Sequence, residues 1–463
     1  MAAAQTLWAP AAWLDGGWTR DVMLAVDAQG RLASVRTGQL RPANATVLPG
    51  PVLPGMVNAH SHAFQRALAG MAERRSGAQD DFWRWRERMY AVALRISPAQ
   101  LRAVAAQLYA ELLQGGYTQV CEFHYLHHAP DGQPYANPLA MSQALAEAAD
   151  DVGIGLTLLP VLYERAGFTA ATLQAEQRRF ATSAEQVLQM CRDIRAWRRP
   201  GVSAGVAIHS LRAAAPESIR RLLAGLADEP GPLHIHVAEQ TSELSDCLAA
   251  TGQRPVAWLA SQGWLDTRWQ LVHATHVDEA ELDAVARSGA GVVLCPSTEA
   301  NLGDGLFPLP GALQRRIPLA LGSDCHVSRC WAAELRLLEY GQRLQLRQRN
   351  VAAGPEAGQP ATAAHLFDRH LAGGTAAAGL GKAGLAVGAR ADLLVLDRSA
   401  PGLRAVPASH LLDALVFATD APALAQVWVA GRQVLDKGQH LLRDRIGDAF
   451  DAAMAELWRP ILD

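Results

Sequence analysis

Apolar segments of strand length recur through the middle of the chain, and their regular alternation with helical segments constrains the fold more than any other feature. Eight such segments occur, at residues 52–58, 117–124, 155–162, 203–209, 232–238, 270–276, 290–296 and 317–323. Stretches with helical spacing, rich in alanine, leucine, arginine and glutamate, separate most of them, at residues 97–114, 139–150, 174–197, 216–228, 253–262 and 278–288. This alternation is typical of an α/β fold with a parallel sheet covered by helices.

The number of repeats favours a closed sheet. Eight strand–helix units over this length predict a (β/α)8 barrel of the TIM type. An open doubly wound sheet is the alternative architecture, although no glycine-rich phosphate loop follows the first strand as a nucleotide-binding version would require. The chain has 463 residues and is 50% hydrophobic, which is enough material for a large core and a smaller second domain.

The two ends of the chain have a different texture from its middle. Residues 21–27 and 388–397 each read as a strand, and residues 427–434 read as two strands joined by a tight turn. Both ends are therefore expected to build one small β-sandwich domain. The predicted organisation is a small sheet domain at 1–50 plus 382–445, a barrel domain at 51–381 and a C-terminal helix within 446–463.

Histidines and one aspartate follow several of the predicted strands. His60 and His62 end the first segment, and residues two apart in a strand face the same side. His236 and His273 lie in the fifth and sixth segments, and Asp324 follows the eighth. Each residue alone has an ordinary structural explanation, as a hydrogen-bonded core histidine or a helix cap. Their joint placement at the strand ends where barrel enzymes carry their chemistry predicts an active site.

This order of motifs resembles the amidohydrolase superfamily, which has His-x-His after strand one, histidines after strands five and six, and aspartate after strand eight. The resemblance extends over nearly the whole chain and implies a metal ion held by His60, His62, His236 and Asp324. Three nitrogens and one carboxylate suit Zn²⁺, with Fe²⁺ as the alternative. The fourth segment lacks the lysine that bridges two metals in two-metal members, so one ion per subunit is expected.

The same resemblance implies three groups that handle protons. Glu239 comes three residues after His236, as in the His-x-x-Glu motif of the deaminase branch, whose carboxyl moves a proton to the substrate nitrogen. The alternative for Glu239 is a solvated loop residue. His273 would polarise the attacking water, and Asp324 would accept its proton while touching the metal. His234 faces the same way as His236 and is assigned a structural role.

Three local segments resemble the formimidoylglutamate deiminases within that superfamily. They are His-Ser-His-Ala-Phe-Gln-Arg at residues 60–66, Phe-Trp-Arg-Trp-Arg at residues 82–86 and His-Ser-Leu-Arg at residues 209–212. The activity implied is the metal-dependent hydrolysis of N-formimino-L-glutamate to N-formyl-L-glutamate and ammonia, a step of histidine degradation.

That substrate is a small dicarboxylate, and arginine suits bidentate recognition of a carboxylate. The resemblance implies that Arg86 and Arg212 each hold one carboxylate, in an order that the sequence leaves open. Gln65, Tyr125 and His209 would supply hydrogen bonds to the substrate or its formimino group. For Arg86, the alternative is a solvated helix face, because charged residues flank it on both sides.

Two other functions compete with this interpretation. A ring deaminase of the guanine or triazine type, or a deiminase of a related formimino or guanidino acid, could use the same scaffold. An arginine pair argues against a neutral heterocycle. A metal-free structural relative is the alternative of another class, and the presence of all four candidate ligands argues against it.

Composition bounds the partners and the compartment. A net charge of −3 gives no electrostatic reason to expect nucleic acid or an anionic membrane as a partner. The six cysteines include no CxxC pair, which favours reduced thiols in the cytoplasm. Neither a signal peptide nor a membrane-spanning run is expected from the residues. A homodimer is expected from the habit of the superfamily.

Overall fold

The computed structural model describes residues 5–71, 73, 82–227 and 229–462, which form two sheets and the helices around them. The strands are β1 (Gln5–Leu14), β2 (Gly17–Val26), β3 (Leu32–Arg36), β4 (Thr46–Val47), β5 (Val52–Pro54), β6 (Met56–Ser61), β7 (Tyr117–His124), β8 (Gly155–Leu162), β9 (Val202–Ala204), β10 (Val206–Ile208), β11 (Leu233–Val237), β12 (Trp269–His273), β13 (Gly291–Leu294), β14 (Leu319–Leu321), β15 (Leu393–Leu396), β16 (Leu424–Val429), β17 (Arg432–Asp436) and β18 (Gln439–His440). The helices are α1 (Phe82–Ala93), α2 (Pro98–Gln114), α3 (Ala140–Val152), α4 (Ala184–Ala196), α5 (Pro216–Gly225), α6 (Thr241–Thr251), α7 (Pro255–Ser261), α8 (Glu279–Ser288), α9 (Pro296–Leu302), α10 (Leu309–Gln314), α11 (Trp331–Leu346), α12 (Thr362–Ala377), α13 (Leu411–Phe417) and α14 (Arg443–Leu462).

The central sheet is a closed parallel barrel. Its strands run in the order β6, β7, β8, β10, β11, β12, β13 and β14, and β14 returns to β6 where Leu321 pairs with Asn58. Every pairing among them is parallel. Strands β7 and β8 are buried along their whole length, because helices cover their outer face and the barrel interior covers their inner face. The predicted (β/α)8 barrel is therefore confirmed, and the open doubly wound alternative is wrong.

The first apolar segment, residues 52–58, is divided between the two sheets. Its start, β5, pairs with β1 and β15 of the small sheet, whereas its end begins the barrel as β6. Gly55 separates the two strands, and a Cβ at this position would collide with the side chain of Thr118. The barrel strand then continues to Ser61, so His60 lies within the strand and His62 lies directly after its end.

The fourth predicted strand, residues 203–209, is also interrupted. It consists of β9 and β10 on either side of Gly205, where a Cβ would collide with the carbonyl oxygen of Pro232. Only β10 pairs with both β8 and β11 and so belongs to the closed ring. Residues 206–208 thus form the barrel wall, and the residues that follow this strand end line the cleft at the barrel mouth.

The second sheet joins both ends of the chain in the order β18, β17, β16, β15, β5, β1, β2 and β3, with β4 beside β1. The sheet curves so that the start of β3 meets the segment before β15, where the backbone N–H of Leu32 donates to the carbonyl oxygen of Ala389 at 2.9 Å. The sheet encloses an apolar cluster of its own. A small β-sandwich built from both termini is thus confirmed as part of the fold class. The division of the chain into domains at residues 50, 381 and 445 stays a prediction.

The helices cover the barrel from outside. The long segment predicted at residues 174–197 is a 3-10 turn at Ala175–Phe180 followed by α4, which begins where the Ser183 hydroxyl accepts a hydrogen bond from the backbone of Gln186 at 3.3 Å. None of the helices in the described part of the chain combines the length and the hydropathy that a bilayer-spanning segment requires.

Candidate metal centre and substrate cleft

Four side chains converge at the C-terminal mouth of the barrel. Nε2 of His60 lies 3.1 Å from Nε2 of His62 and 3.0 Å from Nε2 of His236. Oδ1 of Asp324 lies 3.4 Å from Nε2 of His60 and 3.3 Å from Nε2 of His62. Ligand atoms 2.0–2.1 Å from a tetrahedral zinc ion are about 3.4 Å apart. The structure brings His60, His62 and Asp324 together at distances that suit one such ion, and the fourth predicted ligand, His236, lies in contact with His60.

The protonation states of these side chains suit metal binding. Burial lowers the pKa of His60 to about 3 and also lowers the pKa of His62 and His236, so the rings are neutral. Burial alone would raise the pKa of Asp324, but its histidine neighbours, His60 first, hold it below its usual range. Nδ1 of His62 donates to the carbonyl oxygen of Phe123 at 2.9 Å, which leaves the Nε2 lone pair for a cation.

Three strand ends at this mouth adopt the left-handed backbone conformation that non-glycine residues rarely populate. The φ angles are +53° at Ala238, +69° at His273 and +45° at Asp324. Each such residue costs about 1–3 kcal/mol and persists only where the surroundings hold it. At Asp324 a hydrogen bond stabilises this conformation, since the backbone N–H donates to the carbonyl oxygen of His60 at 3.0 Å. The strain coincides with the predicted site.

Glu239 and His273 form a second group beside the metal ligands. Nε2 of His273 lies 3.6 Å from Oε1 of Glu239 and 3.7 Å from Oδ2 of Asp324. Burial raises the pKa of Glu239, which favours a carboxyl that can donate a proton. Burial would lower the pKa of His273, but the carboxylates of Glu239, Glu299 and Asp324 outweigh it and raise that pKa to about 10. A divalent cation nearby would lower it again.

A cleft of about 750 Å³, its open mouth included, lies in front of these groups. All five predicted substrate residues line it, namely Gln65, Arg86, Tyr125, His209 and Arg212. Glu239, His273 and Asp324 line it too. The structure thus brings together in one cavity every residue predicted for substrate binding and catalysis.

The cleft holds polar side chains in aromatic walls. Nε2 of Gln65 donates to the hydroxyl of Tyr125 at 3.0 Å, and the ring of Tyr163 packs against His209 at a centroid distance of 4.3 Å. Burial lowers the pKa of His209 well below its ordinary value, as does the nearby charge of Arg212. The neutral ring of His209 can therefore both donate and accept a hydrogen bond.

The two arginines reach the cleft from different elements. Arg86 lies on α1, with its guanidinium carbon 5.7 Å from the ring centroid of Tyr90. Arg212 follows β10 and is half-buried. Arg212 forms neither a hydrogen bond nor an ion pair with any residue that the structure describes. A half-buried guanidinium that faces a cleft, with no hydrogen-bond or ion-pair partner among the described residues, is suited to an anionic ligand.

Two carboxylates at the site were missed by sequence reasoning. Glu243 lines the cleft, and its Oε2 accepts from the backbone of Glu239 at 3.1 Å, while its Oε1 has no hydrogen-bond partner in the described part of the chain. Burial raises the pKa of Glu243 to about 7. Glu299 lies behind His273, 3.4 Å from its Nδ1. The only available signal was an acidic residue in the first turn of a helix after a strand.

His234, for which the sequence predicts a structural role, lies outside the cluster of candidate metal ligands. Nε2 of His234 is 2.8 Å from the carbonyl oxygen of Ala377 and donates to it, so the side chain ties β11 to α12. This contact agrees with a structural role for His234.

Comparisons with known proteins agree with the geometry of the site. A model of the amidohydrolase family matches residues 52–434. The chain is 47% identical over 452 residues to a formimidoylglutamate deiminase from Pseudomonas aeruginosa, covering 97% of this chain and 99% of the relative. It is 25% identical over 405 residues to a 5-methylthioadenosine/S-adenosylhomocysteine deaminase from Haloarcula marismortui, covering 87% and 83% of the two chains.

Solved structures resemble this fold over nearly its full length. A crystal structure of an amidohydrolase from Brucella melitensis superimposes with a TM-score of 0.92 and 42% identity, covering 98% of this chain and 99% of the other. An adenosine deaminase from Xanthomonas campestris with bound zinc superimposes with a TM-score of 0.77 and 22% identity, covering 97% and 98%. The second likeness is one of fold.

Proposed function

The chain belongs to the amidohydrolase family, and from this premise and the contents of the cleft we propose that it hydrolyses N-formimino-L-glutamate to N-formyl-L-glutamate and ammonia in histidine degradation. It is a hydrolase that acts on carbon–nitrogen bonds of linear amidines. The relative from Pseudomonas aeruginosa carries the name of this activity and is similar over almost the whole chain.

The observation that carries the proposal is the pairing of a cation site with anion-binding groups in one cleft. His62, His236 and Asp324 face the same cavity as Arg86 and Arg212. A neutral ring substrate would leave the charge of Arg212 without a partner, at a cost that a dicarboxylate avoids. The proposed substrate has two carboxylates for the two arginines and one amidine carbon for the metal side.

The resident metal is proposed to be one Zn²⁺ per subunit, held by His60, His62, His236 and Asp324, with Fe²⁺ as the alternative. When bound, the cation lowers the pKa of its water to about 7 and so supplies hydroxide at neutral pH. The overall change adds one water to the formimino carbon and expels one ammonia, which converts –NH–CH=NH into –NH–CHO.

The side chains of the cleft supply binding and proton transfer for this change. Arg86 and Arg212 each hold one substrate carboxylate and thereby place the formimino carbon at the metal side. Asp324 and His273 take up the proton of the attacking water, and Glu239, whose pKa is raised by burial, protonates the leaving nitrogen. The two roles need a base and an acid side by side, and Glu239 and His273 lie within 3.6 Å of each other.

Compartment and assembly are proposed on separate grounds. All six cysteines are free thiols, which supports the cytoplasm. A homodimer is supported by an exposed apolar stripe on α11, where Leu337, Tyr340 and Leu344 are 38%, 39% and 81% exposed at helical spacing. Sedimentation of the parent beside Leu344→Glu tests the dimer, since a charge in the interface is expected to give monomers.

An ammonia-release assay tests the activity. Zinc-loaded protein is expected to release ammonia from N-formimino-L-glutamate, chelator-treated protein is expected to release none, and re-addition of Zn²⁺ is expected to restore it. Guanine serves as the control substrate and is expected to yield no ammonia. Release from guanine, or no release from the formimino acid above the metal-free background, would contradict the proposal.

A further inference from the structure

Glu299 is a buried carboxylate that the mechanism above does not use. It lies in the first turn of α9, its side chain is only 5% exposed, and it faces His273 from the side opposite to Glu239 and Asp324. The described residues that line the cleft do not include it. Glu299 therefore cannot act on substrate directly, and any part in the reaction must pass through His273.

The geometry between the two side chains is directional. Oε1 of Glu299 accepts the backbone N–H of Cys295 at 2.9 Å, which anchors the carboxylate at the end of β13. The same oxygen lies 3.4 Å from Nδ1 of His273. A carboxylate accepts hydrogen bonds, so this contact requires the hydrogen of His273 to reside on Nδ1. In the neutral form that can accept a proton, an imidazole carries only one N–H, so Nε2 then keeps its lone pair.

That lone pair faces the reacting groups. Nε2 of His273 lies 3.6 Å from Glu239 and 3.7 Å from Asp324, on the cleft side of the ring. The backbone at His273 has a φ of +69°, an unfavourable conformation for this residue, so the surrounding contacts must hold the residue in place. The anchored carboxylate of Glu299 behind the ring supplies one of these contacts.

We propose that Glu299 is a positioning residue that sets the Nδ1–H tautomer and the ring orientation of His273, and so presents Nε2 as the proton acceptor of the site. The role of His273 in proton transfer rests on the proposed function. The tautomer and orientation do not depend on it and are measured independently of any substrate.

The first test compares Glu299→Leu and Glu299→Gln in the zinc-loaded enzyme. Leucine removes the acceptor, and kcat is expected to fall by about 10- to 100-fold with KM and zinc content unchanged, in the range typical for a partner that orients a catalytic imidazole. Glutamine keeps an oxygen that accepts from both Cys295 and His273, so a smaller loss is expected. A kcat in Glu299→Leu equal to that of the parent, or a loss confined to KM, would overturn the proposal.

Glu334 offers a matched control, because it is a fully buried carboxylate on the neighbouring α11. It accepts from the backbone and hydroxyl of Ser297 at 2.9 and 2.6 Å and has no contact with His273. Glu334→Gln is expected to keep the parental kcat. An equal loss of kcat in Glu334→Gln and Glu299→Leu would mean that both act on the fold, and it would overturn the positioning role.

The second test uses nitrogen NMR of protein with ¹⁵N-labelled histidine, with His273→Asn identifying the signals of residue 273. The zinc-loaded parent and Glu299→Gln are expected to show the Nδ1–H form, and Glu299→Leu is expected to show Nε2–H or a mixture. An unchanged tautomer in Glu299→Leu would overturn the inference. If the parent released no ammonia from the formimino acid, the proposed function would fail while this spectrum still decided the role of Glu299.

Discussion

Oε1 of Glu239 lies 3.6 Å from Nε2 of His273 at the barrel mouth, where the side chain of His273 is 2% exposed and that of Glu239 is 16% exposed. A carboxylate and an imidazolium at this distance favour each other's charged forms, whereas burial favours the neutral forms. The pair can therefore hold one proton on either of its two members. An acid that protonates a leaving amine and a base that receives a proton from water need such an arrangement.

Replacing the acid should stop turnover without loss of metal. Glu239→Gln is expected to lower kcat by about 10²- to 10⁴-fold, since an amide cannot donate the proton that the leaving nitrogen requires. Zinc content is expected to stay at the parental value, because Glu239 belongs to none of the groups of candidate metal ligands among the described residues. Ammonia release and metal analysis of the same sample measure both.

Glu217→Gln is the control for this change. Its side chain is 61% exposed on α5, and it is expected to leave kcat unchanged. A Glu239→Gln enzyme with near-parental kcat would show that Glu239 takes no part in the reaction and that its raised pKa has no catalytic role.

Loss of one arginine should weaken substrate recognition. Arg212→Met removes a guanidinium without a partner among the described residues, so no internal contact is broken and the effect falls on the ligand. A charge-assisted carboxylate contact is worth about 2–5 kcal/mol, which corresponds to a fall in kcat/KM of about 30- to 4,000-fold. Arg221→Met, with a side chain 57% exposed on α5, is the control and is expected to keep the parental kcat/KM. Steady-state kinetics in which both variants match the parent would exclude Arg212 from the substrate site.

The barrel could be predicted from the sequence because its strands are buried on both faces. Such strands appear as continuous apolar runs, and the bounds predicted for β7 and β8 match the structure. The breaks at Gly55 and Gly205 were not readable, because the atoms that exclude a side chain there belong to Thr118 and Pro232 in distant segments. Glycine alone does not reveal which neighbour approaches it.

The candidate site divides in the same way. His60, His62, His236 and Asp324 were predictable because each lies at or just after the end of a strand, in an order that resembles a known family pattern. Glu299 was not, since it lies on α9 and its partner His273 ends β12, and only the packed structure brings the two together. A motif thus records the groups that touch metal or substrate, while their supporting groups depend on tertiary contacts.

Zinc should stabilise the fold through its ligands. An ion that binds only the native protein adds about 2.7 kcal/mol when its free concentration is 100 times Kd. The Tm of chelator-treated protein is expected to rise on addition of Zn²⁺, and the rise is expected to be smaller in Asp324→Asn because one of the four converging ligands is weakened. Asp283→Asn on α8, 51% exposed, is the control. Equal zinc-induced shifts in all three proteins, measured by calorimetry, would argue against Asp324 as a ligand.

The stability of the metal-free protein should pass through a maximum near neutrality. Burial lowers the pKa of His60 and His124 to about 3 and of His234 to about 4, so the native state excludes protons that the unfolded chain binds below its pKa of 6.5. Their contribution to stability is full above pH 6.5 and is lost as the pH falls. Burial raises the pKa of Glu122 and Asp304 to about 8, so their contribution is full at acid pH and is lost as the pH rises toward 8.

The two kinds of group give opposite slopes on the two sides of the maximum. The free energy of unfolding is expected to rise as the pH falls from 8 to 6.5, and to fall below 6.5, where the buried histidines outnumber the buried carboxyls of raised pKa among the described residues. Urea unfolding of metal-free protein at pH 8, 6.5 and 5 measures this. A free energy of unfolding that increased steadily from pH 6.5 to 5 would show that the histidines are not buried in the neutral form.

A buried cation that has no carboxylate partner among the described residues should matter more for stability than its less buried neighbour. Arg179 is fully buried and donates to the carbonyl oxygens of His128 at 2.7 Å, of Ile96 at 3.0 Å and of Ala93. Arg179→Met would leave these buried carbonyls without donors, at an expected cost of about 3–5 kcal/mol. For a chain of this length, that cost lowers Tm by about 3–5 °C. Arg178→Met is the matched control, because Arg178 is only half-buried and its hydrogen bonds are exposed to water, which can replace them, so a shift below about 1 °C is expected. Calorimetry that gave both variants the same Tm would show that water reaches the carbonyls around Arg179.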